Sequence, residues 1–243
     1  MKAMIFAAGL GTRLKPLTDT LPKALVPLAG KTLLQWQIET LKAAGITDIV
    51  VNVHHFPDQI IDYLKENNNF GCRIQVSDER DQLLETGGGL KKAQHLFADT
   101  PDTPILVCNV DILSNIDLPA LLRAYNPNEM GLVVVSERNT QRYLLFDETN
   151  RLCGWTNIAT GEVRGKEAEK QLAFSGMQVL NPRIFNCMDA VIAEKGEKFS
   201  LIDLYLSIAQ KEILRAYIPE NYRMMDVGKI AQLSEAESFA FSL

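Results

Sequence analysis

Two glycines, two cations and two carboxylates stand out in this chain for the chemistry their spacing allows. Gly9 and Gly11 directly follow the apolar run at residues 2–8, and Arg13 and Lys23 come next. Asp111 closes the apolar stretch 104–111, and Asp226 follows Tyr222-Arg223-Met224-Met225. A Gly-x-Gly turn lets backbone N–H groups approach an anion with no Cβ between them. Arginine can fork two phosphate oxygens, and lysine adds a compact point charge. Flanking a loop stiffened by Pro16 and Pro22, the pair suits a nucleoside triphosphate. Mg²⁺ takes one or two carboxylates plus phosphate oxygens. If Asp111 and Asp226 reach one cleft, they form a clamp for phosphoryl or nucleotidyl transfer.

Each feature also has a plainer explanation. A bare Gly-x-Gly can be a tight turn that needs glycine for its backbone angles. The third glycine of the dinucleotide fingerprint is replaced by Leu14, and the Walker pattern is absent. Asp226 ahead of "GKIAQLSEAESF" could instead cap a helix. "LETGGGL" (84–90) reads as a glycine run leading into a helix over 88–97. It is either a flexible loop or a place where backbone and helix N-terminus approach a base or ribose. Glu79 and Glu85 beside it are acceptors for base and ribose groups or solvated charges. Lys15 and Lys31 read as surface charges. His54-His55 has no third ligand at metal spacing, and Ser175 lacks the Gly-x-Ser-x-Gly setting of a hydrolase nucleophile.

These residues need elements to hold them. Strand-like runs at 2–8, 48–55, 72–79 and 104–111 alternate with helical patterns at 32–45, 57–67 and 88–97. That rhythm predicts an α/β fold with a mainly parallel sheet, whose ligands sit beyond the carboxyl ends of the strands. After residue 130 the strands at 131–138, 143–148, 151–157 and 172–180 have little helix between them, which predicts a smaller antiparallel extension. "DETN" (147–150) reads as a hairpin turn, and the polar stretch 160–171 as a mobile surface loop. Helices follow at 182–194 and 200–211, then strands near 213–219 and 222–228, then a helix at 229–240. No linker or repeat divides the chain, so 1–243 is expected to be one domain, with a nucleotide half at 1–130 and a sugar-phosphate half at 131–243.

The chain of 243 residues is 47% hydrophobic and carries a net charge of −5, so it has core enough for such a fold and no basic stripe for nucleic acid. The four cysteines are scattered without metal spacing, as in a reducing compartment. The N-terminal apolar run is too short for a signal peptide, and no window approaches a membrane span. A cytoplasmic location is expected.

The motif G-x-G-T-R-L-x-P-L-T-x-x-x-P-K is present at Gly9, Gly11, Thr12, Arg13, Leu14, Pro16, Leu17, Thr18, Pro22 and Lys23. With "LETGGGL", the strand ending at Asp111, "FSGMQVL" and "DVG", it resembles the sugar-phosphate nucleotidyltransferase family along nearly the whole chain. The resemblance implies a Rossmann-like three-layer fold, Mg²⁺ as cofactor, and a nucleoside triphosphate and a sugar 1-phosphate as partners. It places Ala8, Gly9, Gly11, Thr12, Arg13, Lys23, Glu79, Gly87, Gly88 and Asn109 on the nucleotide, with Arg13, Lys23 and Asp111 catalytic. It gives Glu85, Ser175 and Gly176 to the sugar, and Asp111 and Asp226 to the metal. The short length and "ETGGG" are most similar to the N-acetylmuramate-1-phosphate uridylyltransferases, which implies UTP. Mannose- or heptose-1-phosphate guanylyltransferases are the nearest rivals, and a non-catalytic nucleotide-sugar sensor is a reading from another class. Three features depart from the pattern: Val110 where glycine is common, Lys229 where Thr or Ser is common, and the length of the 160–171 loop.

Overall fold

Alternate residues of the first strand, β1 (Lys2–Phe6), point to opposite faces, and both faces are covered. Ala3 and Ile5 enter one apolar cluster, Met4 and Phe6 a second. A strand covered on both sides reads as an unbroken apolar run, the mark of a parallel sheet between two helical layers. The computed structural model describes residues 1–243 throughout. After β1 come a small hairpin of β2 (Pro27–Leu28) and β3 (Lys31–Thr32), helix α1 (Leu33–Ala43), β4 (Asp48–Val53), α2 (Pro57–Glu66), β5 (Arg73–Asp78) and α3 (Glu85–Lys92). Next are β6 (Ile105–Asn109), β7 (Ile112–Ser114), α4 (Leu118–Ala124), β8 (Gly131–Ser136), β9 (Arg142–Phe146), β10 (Leu152–Asn157) and β11 (Glu162–Gly165). The chain closes with β12 (Lys170–Leu180), α5 (Ile184–Lys195), α6 (Leu201–Ile208), β13 (Leu214–Tyr217), β14 (Met224–Asp226) and α7 (Leu233–Ala240).

In the central sheet β5, β4, β1 and β6 run parallel, β12 enters antiparallel beside β6, and β8 and β13 resume the parallel direction on its far side. The carboxyl ends of β1, β4, β6 and β8 therefore share one edge. β12 is the longest strand, and its first residues leave this sheet to pair with β9, which starts the antiparallel extension β9–β10–β11. The α/β fold with a mainly parallel sheet and a smaller antiparallel extension is as the sequence predicts.

Two local expectations change. The stretch 160–171 contains β11, paired with β10, and is tethered: Arg164 Nη2 donates to Asp203 Oδ1 at 2.6 Å, and Lys166 N to Cys153 O at 2.8 Å. Burial pushes the Asp203 carboxyl up, but hydrogen bonds from Ser200 and the Arg164 and Lys195 cations hold it well below the usual carboxylate range. A polar edge strand carries no apolar alternation, so the sequence pattern gives no sign of it. The final helix begins at Leu233 after a short 3₁₀ turn at Ile230–Gln232, later than residue 229.

Candidate active site

β1 ends at Phe6, and the chain then turns through Gly9 and Gly11 onto the shared strand edge. Gly11 has φ 64°, and a Cβ there would meet Thr18 Cγ2 at 2.7 Å and Lys23 Cβ at 3.1 Å. Glycine is therefore required both for the backbone angle and for space. Its carbonyl accepts from Thr18 Oγ1 and Leu14 N, each at 2.8 Å, and the buried Leu14 anchors the far side of the turn. No hydrogen bond within the protein is donated by the N–H groups of Gly9, Leu10, Gly11, Thr12 or Arg13. The plain tight turn and a loop able to cradle an anion are thus compatible: the turn leaves a row of N–H donors without partners in the protein.

The charged residues converge beside this loop. β14 pairs antiparallel with β7, Asp226 lies opposite Ile112, and Val227 N donates to Asp111 O at 2.8 Å. Residues 115 positions apart in sequence are thereby set side by side. Lys23 Nζ is ion-paired with Asp111 Oδ2, both side chains being mostly buried. Arg13 reaches over Gly228 next to Asp226: a Cβ at Gly228 would lie 2.6 Å from Asp226 Oδ1 and 2.8 Å from Arg13 Nη2. Desolvation and the adjacent Asp111 carboxylate push Asp226 above the usual aspartate range, against the pull of Lys23, Arg13 and Arg138. The helix-cap reading of Asp226 is excluded, since α7 is entered from Gln232 and Asp226 ends a strand.

Nowhere in the structure do three or more His, Cys, Asp or Glu side chains cluster as a metal site. The two carboxylates are hard oxygen donors with no nitrogen or sulfur ligand among them. That set fits Mg²⁺, which binds through one or two carboxylates and completes its shell with phosphate and water.

A cleft of about 400 Å³ runs along this edge, lined by Phe6, Ala8, Gly9, Lys23, Asn109, Val110 and Asp111 together with Asn52, Leu83, Glu85, Thr86 and Ser200. It brings together Ala8, Gly9, Lys23, Glu85, Asn109 and Asp111 from the sequence-based set. Its lining does not include Gly11, Thr12, Arg13 or Asp226, which lie beside it, nor Glu79, Gly87, Gly88, Ser175 or Gly176. Glu79 is fully buried, with Oε1 accepting from Asn52 Nδ2 at 2.7 Å, so it cannot accept from a base. The glycine run is not a loop: Gly87, Gly88 and Gly89 lie within α3 and are buried. The N–H groups of Gly87 and Gly88 both donate to Phe199 O, at 2.9 and 3.1 Å. A Cβ at Gly87 would lie 2.5 Å from the Phe199 ring, and one at Gly88 2.1 Å from Glu197 O. These glycines admit the segment before α6, not a base. Gly88→Ala is expected to destabilise the fold by about 1–3 kcal/mol through overpacking, read as a melting temperature lower by roughly 2–4 °C per kcal/mol.

On the other side of Asp111, β12 is irregular between Phe174 and Gln178, and Gly176 has φ 70°, where a Cβ would meet Ile112 Cγ1 at 2.7 Å and Asn109 Nδ2 at 3.0 Å. Ser175 is fully buried, so its side chain does not open onto the cleft as a sugar contact would. Its Oγ and the Tyr222 hydroxyl are buried without a hydrogen-bond partner. Sequence reasoning missed two residues here, Tyr222 and Arg138. Arg138 follows the end of β8 as Asp111 follows β6, on the same strand edge, and its one hydrogen bond within the protein runs from Nη2 to Phe174 O at 2.8 Å. A lone arginine after a strand carries no signal in the sequence; only the strand order places it.

The chain matches the family model described as nucleotidyl transferase over residues 2–242. It is 36% identical to N-acetylmuramate alpha-1-phosphate uridylyltransferase of Caulobacter vibrioides over 75% of this chain and 76% of that one. The enzyme of the same name from Neisseria meningitidis is 32% identical over 99% of this chain and 98% of its own. A mannose-1-phosphate guanyltransferase of Yarrowia lipolytica is 31% identical over 94% of this chain and 61% of its own. In fold, a putative glucose-1-phosphate thymidylyltransferase from Bacillus anthracis superposes with a TM-score of 0.83 at 17% identity, covering 100% of this chain and 96% of that one. With a row of free N–H donors, paired cations and paired carboxylates on one strand edge, the chain belongs to the nucleotidyl transferase family, and its reaction class is that of the sugar-1-phosphate nucleotidyltransferases.

Proposed function

We propose that the protein joins UTP to N-acetylmuramate 1-phosphate, releasing pyrophosphate and forming the UDP-sugar. The observation that carries this reading is the convergence of Arg13, Lys23, Asp111 and Asp226 beside the unbonded N–H groups of residues 9–13. The uridylyl and muramate assignments rest on the two relatives of that name. A phosphate oxygen of the sugar 1-phosphate attacks the α-phosphorus in line. The bond from that phosphorus to the α–β bridging oxygen breaks, and pyrophosphate leaves with the electron pair. The loop N–H groups and Arg13 hold the phosphate chain, and Lys23 sits where charge shifts during transfer, so the protein's task is positioning and charge neutralisation. Asp111 and Asp226 would hold Mg²⁺, which would supply further neutralisation of phosphate oxygens. A sensor would have no need of all four charged groups, and their retention favours the enzyme. Four free thiols suit a cytoplasmic setting.

N-acetylmuramate differs from mannose and glucose in carrying a lactyl carboxylate, and Arg138 is the cation on the sugar side whose guanidinium is not committed to a carboxylate. The test is a substrate panel of UTP and GTP against sugar 1-phosphates with and without a carboxylate, with products identified by mass. UDP-N-acetylmuramate is the expected main product. Arg138→Ala is expected to raise KM for the carboxylate-bearing sugar by about tenfold, the loss of one charge-assisted contact, and to leave KM for neutral sugars unchanged. A dominant GDP-sugar product would favour the guanylyltransferase reading, which the Yarrowia relative keeps as the alternative.

A further inference from the structure

Glu79 is fully buried, and no cation lies within ion-pair distance of it, although burying a lone carboxylate is costly. What it does hold is specific. Its Oε1 accepts from Asn52 Nδ2 at 2.7 Å, and its Oε2 lies 3.4 Å from Leu84 N. Asn52 in turn accepts the Ala7 N–H through Oδ1 at 2.7 Å. Ala7 N can only donate, and Glu79 Oε1 takes the amide hydrogen at the other end. Both neighbours therefore demand the same orientation of the Asn52 amide. Ala7 leads directly into Ala8-Gly9, Leu84 sits within the 83–86 segment, and Asn52 itself faces the cleft. One carboxylate is thus tied to two of the chain segments that line the cavity, 6–9 and 83–86. Gly89 follows the same logic: a Cβ there would meet Glu79 Oε1 at 2.7 Å and Asn52 Nδ2 at 3.0 Å, so α3 packs directly on the pair. His54 Nδ1, 2.7 Å from Glu79 O, fixes the backbone of the same residue.

We propose that Glu79 is a positioning residue which, through Asn52 and Leu84, sets the separation between the glycine loop and the 83–86 segment and so the fit of the nucleotide. This rests on the reading that the cleft takes a nucleoside triphosphate. A direct contact between Glu79 and the base is not required, because the residue acts on the loop that carries the phosphate-facing N–H groups.

The test measures UTP binding by titration calorimetry, together with kcat, both KM values and melting temperature, for Glu79→Ala, Glu79→Gln, Asn52→Ala and the Glu79→Ala/Asn52→Ala double variant. Glu79→Ala and Asn52→Ala are each expected to raise KM for UTP about tenfold, the effect of leaving one buried group unpaired. KM for the sugar 1-phosphate should stay within about twofold. Glu79→Gln keeps an oxygen for Asn52 Nδ2 but turns an NH2 toward the Leu84 N–H, so it should recover only the part of the loss that runs through Asn52. The double variant should fall well short of the sum of the two single losses, since both break the Glu79–Asn52 link. Unchanged UTP affinity in Asn52→Ala overturns the inference even if Glu79→Ala does not fold. Additive losses, or equal losses for both substrates, overturn it as well, because they indicate general destabilisation. A wild-type protein that binds no nucleotide overturns the proposed function together with this inference. Normal wild-type binding with indifferent variants overturns this inference alone.

Discussion

Replacing Lys23 with alanine lowers turnover by roughly a hundredfold or more, the cost of removing one preorganised donor of transition-state stabilisation, while nucleotide affinity falls far less. A point charge close to the transferring phosphorus gains most as charge shifts along the reaction, so its loss falls mainly on kcat. The Arg13 guanidinium and the N–H row of residues 9–13 remain to bind the phosphates. The ion pair between Lys23 and Asp111 adds a second expectation of opposite sign. Without the ammonium, Asp111 and Asp226 face each other uncompensated on that side, and a divalent cation is more welcome. The Mg²⁺ concentration for half-maximal rate should therefore fall even as the maximal rate collapses. Turnover equal to wild type would reduce Lys23 to a structural partner of Asp111.

Asp111→Asn and Asp226→Asn should move the Mg²⁺ requirement the other way, each raising it by roughly a hundredfold, the upper end of what even outer-shell changes cost a metal site. The two act as one site, so the double variant should be little worse than the poorer single one. A stability readout separates this from general damage. Desolvation and Asp111 raise the Asp226 pKa in the folded state, so its ionised form is disfavoured at neutral pH relative to the unfolded chain. A neutral isostere removes that penalty, and Asp226→Asn should melt at the same temperature as wild type or above it. A Mg²⁺ titration curve that does not shift in Asp226→Asn would remove that residue from the metal site.

The chemistry-bearing loop was legible because its signals are local. A covered strand, two glycines and two prolines lie within one short stretch, and parallel-sheet logic sends all of it to one edge. The side-by-side placement of Asp111 and Asp226 was legible only as a possibility, since it depends on β14 pairing with β7, and neither strand is long enough to announce its partner. The α3 glycines misled for a physical reason. Glycine is the poorest ordinary helix former after proline, so the run reads as a loop or ligand-facing turn leading into a helix at 88, whereas α3 begins at Glu85. The contacts of Phe199 and Glu197 outweigh that preference, and they come from more than a hundred residues away. Glu79 misled in the opposite direction: a carboxylate is expected at the surface, and the Asn52 amide beneath the loop and the Leu84 N–H give it reason to be inside. Arg138 and Tyr222 had no pattern to betray them.

The seat of α3 on the segment 197–201 bears on how such proteins can be recombined. The cleft residues Leu83–Thr86 belong to the first half of the chain, yet Phe199 O takes the N–H groups of Gly87 and Gly88, and Thr86 Oγ1 accepts from Leu201 N at 2.9 Å. A chimera joined near residue 130, meant to keep one parent's nucleotide choice and import another's sugar choice, would separate these partners. Its nucleotide selectivity would then follow the donor of the second half in part. Crossover design for this chain has to treat residues 84–89 and 197–201 as a single inherited block, however far apart they are in the gene.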